Sequence, residues 1–163
     1  MSSQWKPEVT VAAIVERAGR FLMVEERVSG GLVFNQPAGH LEDRETLIEA
    51  AIRETREETA WRFAPESLVG TYLWRSPDNG RTFLRFAFCG SVDDHRPEQP
   101  LDTGIVRAVW LSHDQMLAQP GRLRSPLVLK CLEDYLAGAR QPLASVATLV
   151  LDTAADVGAV VNL

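Results

Sequence analysis

The chain is short of several things, and each shortage excludes a class of protein. It has only two cysteines, Cys89 and Cys131, far apart and with no C-x-x-C pair. Neither a zinc knuckle nor a disulfide scaffold is therefore expected. No stretch approaches the ~20 apolar residues of a membrane helix. Met1 to Pro7 lacks a basic start followed by an apolar run, so no targeting leader is expected and the cytoplasm is the default location. Positive charge is also scarce: 17 Lys and Arg stand against 22 Asp and Glu, a net charge of -5. A general nucleic-acid binder needs a basic stripe to meet phosphates, and this composition argues against one. No internal repeat, low-complexity tract or inter-domain linker is present.

What remains is ordinary globular composition, 45% hydrophobic and 24% charged over 163 residues. That length suits a single domain spanning 1–163 and one good core. Val9 to Val15 and Phe21 to Val24, joined by Ala18-Gly19-Arg20, predict a hairpin, and Leu32 to Phe34 a further strand. Asn35 to His40 is expected to be loop, because Pro37 and Gly39 argue against regular structure there. A helix is predicted from about Arg44 to Thr59, with Asp43 as N-cap and Glu45 in the first turn. Leu68–Arg75 and Thr82–Cys89 predict strands around the turn Pro77-Asp78-Asn79-Gly80. A polar loop, Asp93 to Gly104, precedes a strand at Val106–Leu111. A short helix capped by Ser112 and a longer one over Ser125–Ala137 follow. The tail from Gln141 is apolar and reads equally as strand, short helix or extension. The order predicts an α+β protein, an α/β/α sandwich around a mixed sheet.

One segment is dense in chemistry: GHLEDRETLIEAAIRETREETAW, Gly39 to Trp61. At ~100° per residue, Glu57 lies about 60° to one side of Glu54 and Glu58 about 40° to the other. Three carboxylates thus leave the helix in a narrow sector, while Leu47, Ile48, Ala51 and Ile52 occupy the neighbouring one and suit burial against a sheet. Like charges at these spacings repel. A hard divalent cation would offset that repulsion. Arg53 is placed to hold Glu54 by a charge-assisted pair, and Arg56 to stay in solvent.

The order Gly39, five residues, Glu45, seven residues, then Arg53-Glu54-Thr55-Arg56-Glu57-Glu58-Thr59 resembles the Nudix box, a long and specific motif. VTVAAIV, GRFLMVEE, FNQPAGHLE, FLRFAF and LRSPLV extend the likeness over roughly 7–142 to the NudJ group of Nudix phosphatases. Two positions depart from the pattern. Ala60 replaces the glycine that serves the turn after the helix, and Trp61 follows it in place of an aliphatic residue. A positive φ at Ala60 would cost of order 1 kcal/mol; a longer helix is the alternative.

The resemblance implies a Nudix-type sandwich and hydrolysis of a nucleoside diphosphate linked to another group, with Mg2+ or Mn2+. Carried over, the metal ligands are Glu54, Glu57, Glu58 and the Gly39 carbonyl, and the base that takes a proton from water is Glu54 or Glu57. Arg53 supports Glu54 or the loop. Glu45 either organises that loop or supplies favourable charge at the helix start. An extra acid from outside the box is expected among Asp93, Asp94, Glu98 and Asp102. The group's chemistry implies phosphate release from nucleoside tri- and diphosphates, hydroxymethylpyrimidine pyrophosphate or thiamin pyrophosphate. The alternatives are a Nudix pyrophosphohydrolase acting on nucleoside triphosphates, ADP-sugars or dinucleoside polyphosphates, and a non-catalytic ligand-binding module. The expected partner is a small phosphorylated molecule, with no nucleic acid or membrane, on a monomer or homodimer.

Substrate contacts are read from the strands. Alternation puts Arg85 opposite Leu84, Phe86 and Phe88, in a setting that needs an anionic partner, either a substrate phosphate or a structural carboxylate. The rings of Phe34 and Trp74 either stack on a base or pack in the core, the commoner fate of strand aromatics. Gln36 and His40 are further candidates for polar contact.

Overall fold

The computed structural model describes residues 4–149. Eight strands and three helices alternate along them: β1 Glu8–Arg17, β2 Arg20–Val28, β3 Gly31–Asn35, β4 Ala38–His40, α1 Leu47–Thr59, β5 Arg62–Arg75, β6 Thr82–Asp93, β7 Ile105–Leu111, α2 His113–Leu117, α3 Leu127–Leu136 and β8 Gln141–Pro142. The strands form one sheet in the order β3-β2-β1-β6-β5-β8, with β4 also on β1 and β7 also on β2. The β1–β6 pair is parallel and the other pairs are antiparallel, so the sheet is mixed, as expected.

Both faces are covered, and β1 shows how. Val11, Ala13 and Val15 pack with Ala50 and Ala51 of α1 and Phe88 of β6. Ala12 and Ile14, on the other face, pack with Val128, Cys131 and Leu132 of α3. The period-two alternation thus feeds two cores, and β1 reads as one continuous apolar run for that reason. Leu47, Ile48 and Ile52 pack partly buried against the first core, as expected of that helix sector. Both cysteines are free and buried. No helix among the described residues is long and apolar enough to cross a membrane.

Several boundaries correct the sequence reading. The supposed loop at Asn35 to His40 contains β4, whose Ala38, Gly39 and His40 pair with Ala12, Val11 and Thr10. Pro37 precedes the strand and needs only its carbonyl, which accepts from Ala13 N–H at 2.9 Å. Helix α1 starts later than Arg44, because Arg44 has φ +66° and cannot be helical. Thr46, not Asp43, is its N-cap: the Thr46 hydroxyl accepts from Glu49 N–H and the Glu49 carboxylate accepts from Thr46 N–H. At the other end Ala60 takes the left-handed conformation, φ 61°, and its N–H donates to Arg56 O. The substituted position therefore keeps the turn that a glycine would serve, and the helix is not extended. Strand β5 begins at Arg62, six residues before the expected Leu68. Ser112 caps α2 as expected, and α3 covers Leu127–Leu136 with Gly138 beyond it at φ 90°. Of the apolar tail, Gln141–Pro142 adds a short strand and Leu143–Ser145 a 3-10 turn; 150–163 lie outside the described residues.

Candidate functional site

A cleft of about 630 Å³ opens where β4 meets α1. Its wall includes Gly39, His40, Glu42, Glu54 and Glu58 from the Gly39–Thr59 segment. Thr10, Glu26, Asn35, Trp74, Phe83, Arg85, Asp102 and Arg124 complete it from the strands and loops.

The two buried helix carboxylates are stacked one turn apart against β4. Glu58 Oε2 accepts from Ala38 N–H at 2.9 Å. Glu54 lies against Gly39 so closely that a Cβ built there would sit 2.1 Å from its carboxyl carbon. Only glycine leaves room for the carboxylate at this point. Burial pushes the Glu58 carboxyl up to about 9 and raises Glu54 as well, with neighbouring carboxylates adding to both shifts.

Arg53 governs the outer side. Its Nε and Nη2 form a fork on Glu45 at 2.9 and 2.7 Å, and Nη2 also donates to His40 O at 3.0 Å. Its Nη1 donates to Glu54 Oε1 at 2.8 Å and to Glu57 Oε2 at 3.1 Å. One guanidinium therefore ties the His40–Glu45 turn to the helix and orients Glu54. Glu45 precedes the N-cap and acts as organiser of that turn, also accepting from Glu42 N–H at 2.8 Å. Arg53 holds its carboxyl below the usual range. Glu57 does not line the cleft: the 60° offset that separates it from Glu54 leaves its side chain 45% exposed beside Arg53.

Among the described residues no three His, Cys, Asp or Glu side chains form a ready cage for a metal ion. The oxygens are held instead by Arg53 and by the Ala38 amide. The donor set nonetheless fits a divalent cation of the magnesium type. Such an ion binds one or two carboxylates and keeps waters for a phosphate. Two buried carboxylates, both raised by desolvation and by neighbouring carboxylates, Asp102 among them, face the space beside the Gly39 backbone, and a cation there would relieve them.

The structure separates the loop acids. Asp93 pairs with Arg62 at 2.7 Å, Asp94 with Arg56 at 2.9 Å, and Glu98 is exposed. Asp102 alone of the four lines the cleft, and its N–H donates to Glu57 O at 2.9 Å. Arg56, expected to be solvated, fastens this loop by donating to the Asp94 carbonyl and carboxylate.

The substrate candidates divide too. Arg85 and Trp74 reach the cleft, Trp74 stacked on Phe83 with ring centroids 5.7 Å apart. Exposed His40 also lines it, 3.2 Å from Glu8. Phe34 does not: it is 3% exposed in the α3-side core beneath the Arg122 guanidinium. Gln36 is not part of the wall either. It donates to Val128 O at 2.8 Å and accepts from Arg85 Nη1 at 3.4 Å, so it braces Arg85 from behind. Both side chains turn inward because the β3 end is covered by the segment before α3, where Arg124 N–H donates to Phe34 O.

Sequence reasoning missed Thr10, Glu26, Asn35 and Arg124. One signal was available. Glu25 and Glu26 are consecutive in a strand covered on both faces, so both carboxylates must turn toward protein. Glu25 is buried between Arg107 and Arg122, and Glu26 faces the cleft with Arg124 Nε at 3.4 Å.

A NUDIX domain model matches residues 6–130 of this chain. Phosphatase NudJ of Escherichia coli strain K12 is 45% identical over 139 residues, covering 85% of this chain and 90% of that protein. The same values hold for Phosphatase NudJ of Shigella flexneri. A NUDIX hydrolase from Nitrosomonas europaea superposes with a TM-score of 0.87 at 48% identity, covering 90% of this chain and 100% of that one. A MutT NUDIX hydrolase from Burkholderia pseudomallei, at 19% identity, TM-score 0.63 and coverage of 80% and 98%, shares the fold.

Proposed function

The chain belongs to the Nudix hydrolase family, and from that premise we propose that it is a Mg2+-dependent phosphatase of the NudJ kind, a single domain acting in the cytoplasm. In this reading it releases phosphate from nucleoside tri- and diphosphates, and its range includes hydroxymethylpyrimidine pyrophosphate. The observation that carries it is the pair of buried carboxylates, Glu54 and Glu58, packed on Gly39 in a cleft that also presents Arg85 and Arg124. The 45% identity to a phosphatase supports the choice of reaction.

The Gly39 carbonyl, Glu54 and Glu58 would hold the cation, joined by Glu57 once it leaves Arg53. A divalent cation bound here screens phosphate oxygens and makes water more acidic. The protein does the rest. Arg85 and Arg124 meet phosphate charge, and Asp102 is the acid supplied from outside the box. Glu54 takes the proton from the attacking water; it is preferred to Glu57 because it lines the cleft and is buried. Arg53 fixes the direction of that carboxylate, and Glu45 fixes Arg53.

The test is a product assay with Mg2+ and a panel of GTP, GDP, ADP-ribose and hydroxymethylpyrimidine pyrophosphate, scoring orthophosphate and pyrophosphate separately. Orthophosphate from GTP and GDP supports the reading. Pyrophosphate from GTP, or cleavage of ADP-ribose alone, replaces it with pyrophosphohydrolase activity.

A further inference from the structure

The loop between β6 and β7, residues 94–104, carries Asp102 into the wall of the cleft that also holds Glu54 and Glu58. A third carboxylate in that wall is unfavourable by itself. Like charges repel, and Asp102 is among the neighbours that push both helix carboxyls up. An exposed aspartate on a polar loop would turn away into solvent unless the loop were fastened. Thr103 N–H donates to Asp102 Oδ1 at 2.9 Å and directs the carboxylate, but that contact lies within the loop and cannot anchor it.

The anchoring contacts converge on one place, the C-terminal end of α1. A helix ends in carbonyls that lack intrahelical partners, and the loop brings donors to this end. Gln99 Nε2 donates to Arg56 O at 2.8 Å, Asp102 N–H to Glu57 O at 2.9 Å, and Arg96 N–H to Ala60 O at 3.0 Å. Arg56 answers from the helix by donating to the Asp94 carbonyl at 2.8 Å and carboxylate at 2.9 Å. Just past the helix, the His95 ring lies on Trp61 with centroids 4.3 Å apart and planes 18° from parallel. Arg17 sits over the same indole, 4.8 Å from its centroid, and steadies it. Trp61 stands where the box pattern has an aliphatic residue, which could offer His95 no such face. The carbonyls that hold the loop and the carboxylates that face the cleft belong to the same last turns of α1, so Asp102 is registered to the site itself.

We propose that Gln99 and the Trp61–His95 stack are positioning residues: they clamp loop 94–104 to the end of α1 and hold Asp102 in place for the cation before it binds. The inference rests on the hydrolase reading above and specifies how the acid from outside the box is set.

The experiment titrates Mn2+ into the protein by calorimetry, without substrate, and measures alongside it the Mg2+ concentration that half-activates phosphate release from GDP. Gln99→Leu combined with His95→Ala should weaken Mn2+ binding about 10-fold and raise the Mg2+ half-activation point by a similar factor, with the rate deficit shrinking as Mg2+ rises. Each single variant should do the same to a smaller degree, and they decide the matter if the double variant does not fold. His95→Phe keeps a ring on Trp61 and should bind Mn2+ as the parent does. In an Asp102→Asn background the loop substitutions should change Mn2+ binding no further, because the residue they position has lost its charge. Parental Mn2+ affinity in the folded loop variants overturns the inference, as does a loss that is undiminished in the Asp102→Asn background. Absence of all turnover, with the Mn2+ losses still coupled through Asp102, removes the hydrolase reading and leaves the clamp standing.

Discussion

Replacing Gly39 with alanine tests the geometry of the site while leaving the fold intact. The added Cβ would lie 2.1 Å from the Glu54 carboxyl carbon and Oε1 and 2.3 Å from Oε2, against an ordinary contact beginning near 3.4 Å. The Glu54 side chain is long enough to retreat, so it moves by about 1.3 Å or more and the backbone does not. That retreat breaks the 2.8 Å bond from Arg53 Nη1. A 1 Å displacement of a reacting group costs about 10²-fold in rate. Stability falls without the fold being lost. Gly39 is not among the residues with positive φ, so alanine is unstrained there and gains ~0.5 kcal/mol from a less flexible unfolded chain. Loss of one charge-assisted hydrogen bond removes ~1.5–3 kcal/mol. The variant should thus be about 1–2.5 kcal/mol less stable than the parent while kcat/KM falls about 100-fold. Calorimetry and a phosphate-release assay measure the two quantities. A folded Gly39→Ala protein with activity within threefold of the parent would refute the argument that Glu54 must occupy this position.

Three further outcomes follow from the same contacts. Arg53→Lys keeps the charge but loses the fork on Glu45 and the reach to Glu54, so kcat/KM should drop about 10- to 100-fold; an unchanged pH–rate profile and rate would show that Arg53 orients nothing. Ala60→Gly removes a left-handed strain of ~1–2 kcal/mol, but also gives up a buried methyl of ~0.8 kcal/mol, so the net gain in urea unfolding is about 0–1 kcal/mol with activity preserved; a large rise in activity would mean the substituted turn had been disabling the site. In metal-free protein the Glu58 carboxyl, raised by burial to about 9, binds a proton in the folded state that the unfolded chain releases near the usual carboxylate value. Its stabilising effect is complete below about pH 4.5 and is lost as pH rises toward 9, at up to ~1.4 kcal/mol per unit. Unfolding in EDTA at pH 5, 7 and 8.5 reads this, and stability that rises across that range contradicts it.

How much of this was legible in the sequence varies with the kind of interaction. Strand β1, the hairpin turns, the Ser112 cap and the apolar sector of α1 rest on local periodicity and turn chemistry, and they stand where expected. Strand β4 was not legible, because Ala38-Gly39-His40 has no strand preference of its own and exists through its pairing with β1. The start of α1 was misplaced by a competing cap. Asp43 and Thr46 both qualify, and the reciprocal Glu49 decided for Thr46. Within the site, the i, i+4 spacing of Glu54 and Glu58 was enough to align them, and the neighbouring position of Glu57 was not enough to bring it in. Asp102 was one of four loop acids of equal promise. Arg62 and Arg56 claim Asp93 and Asp94, contacts far apart along the chain that no local pattern announces. Phe34 and Gln36 sit beside the box in sequence yet serve the core and Arg85, because the segment before α3 closes over them.

The most direct test of the central claim is orthophosphate release from GDP by the parent protein and by Glu54→Gln, measured against Mg2+ concentration. The account predicts no turnover in EDTA, saturable activation by Mg2+, and a loss of about 10²- to 10⁴-fold in the variant even at saturating Mg2+. Turnover that persists in EDTA, or a Glu54→Gln protein that keeps most of its rate at saturating Mg2+, would contradict it.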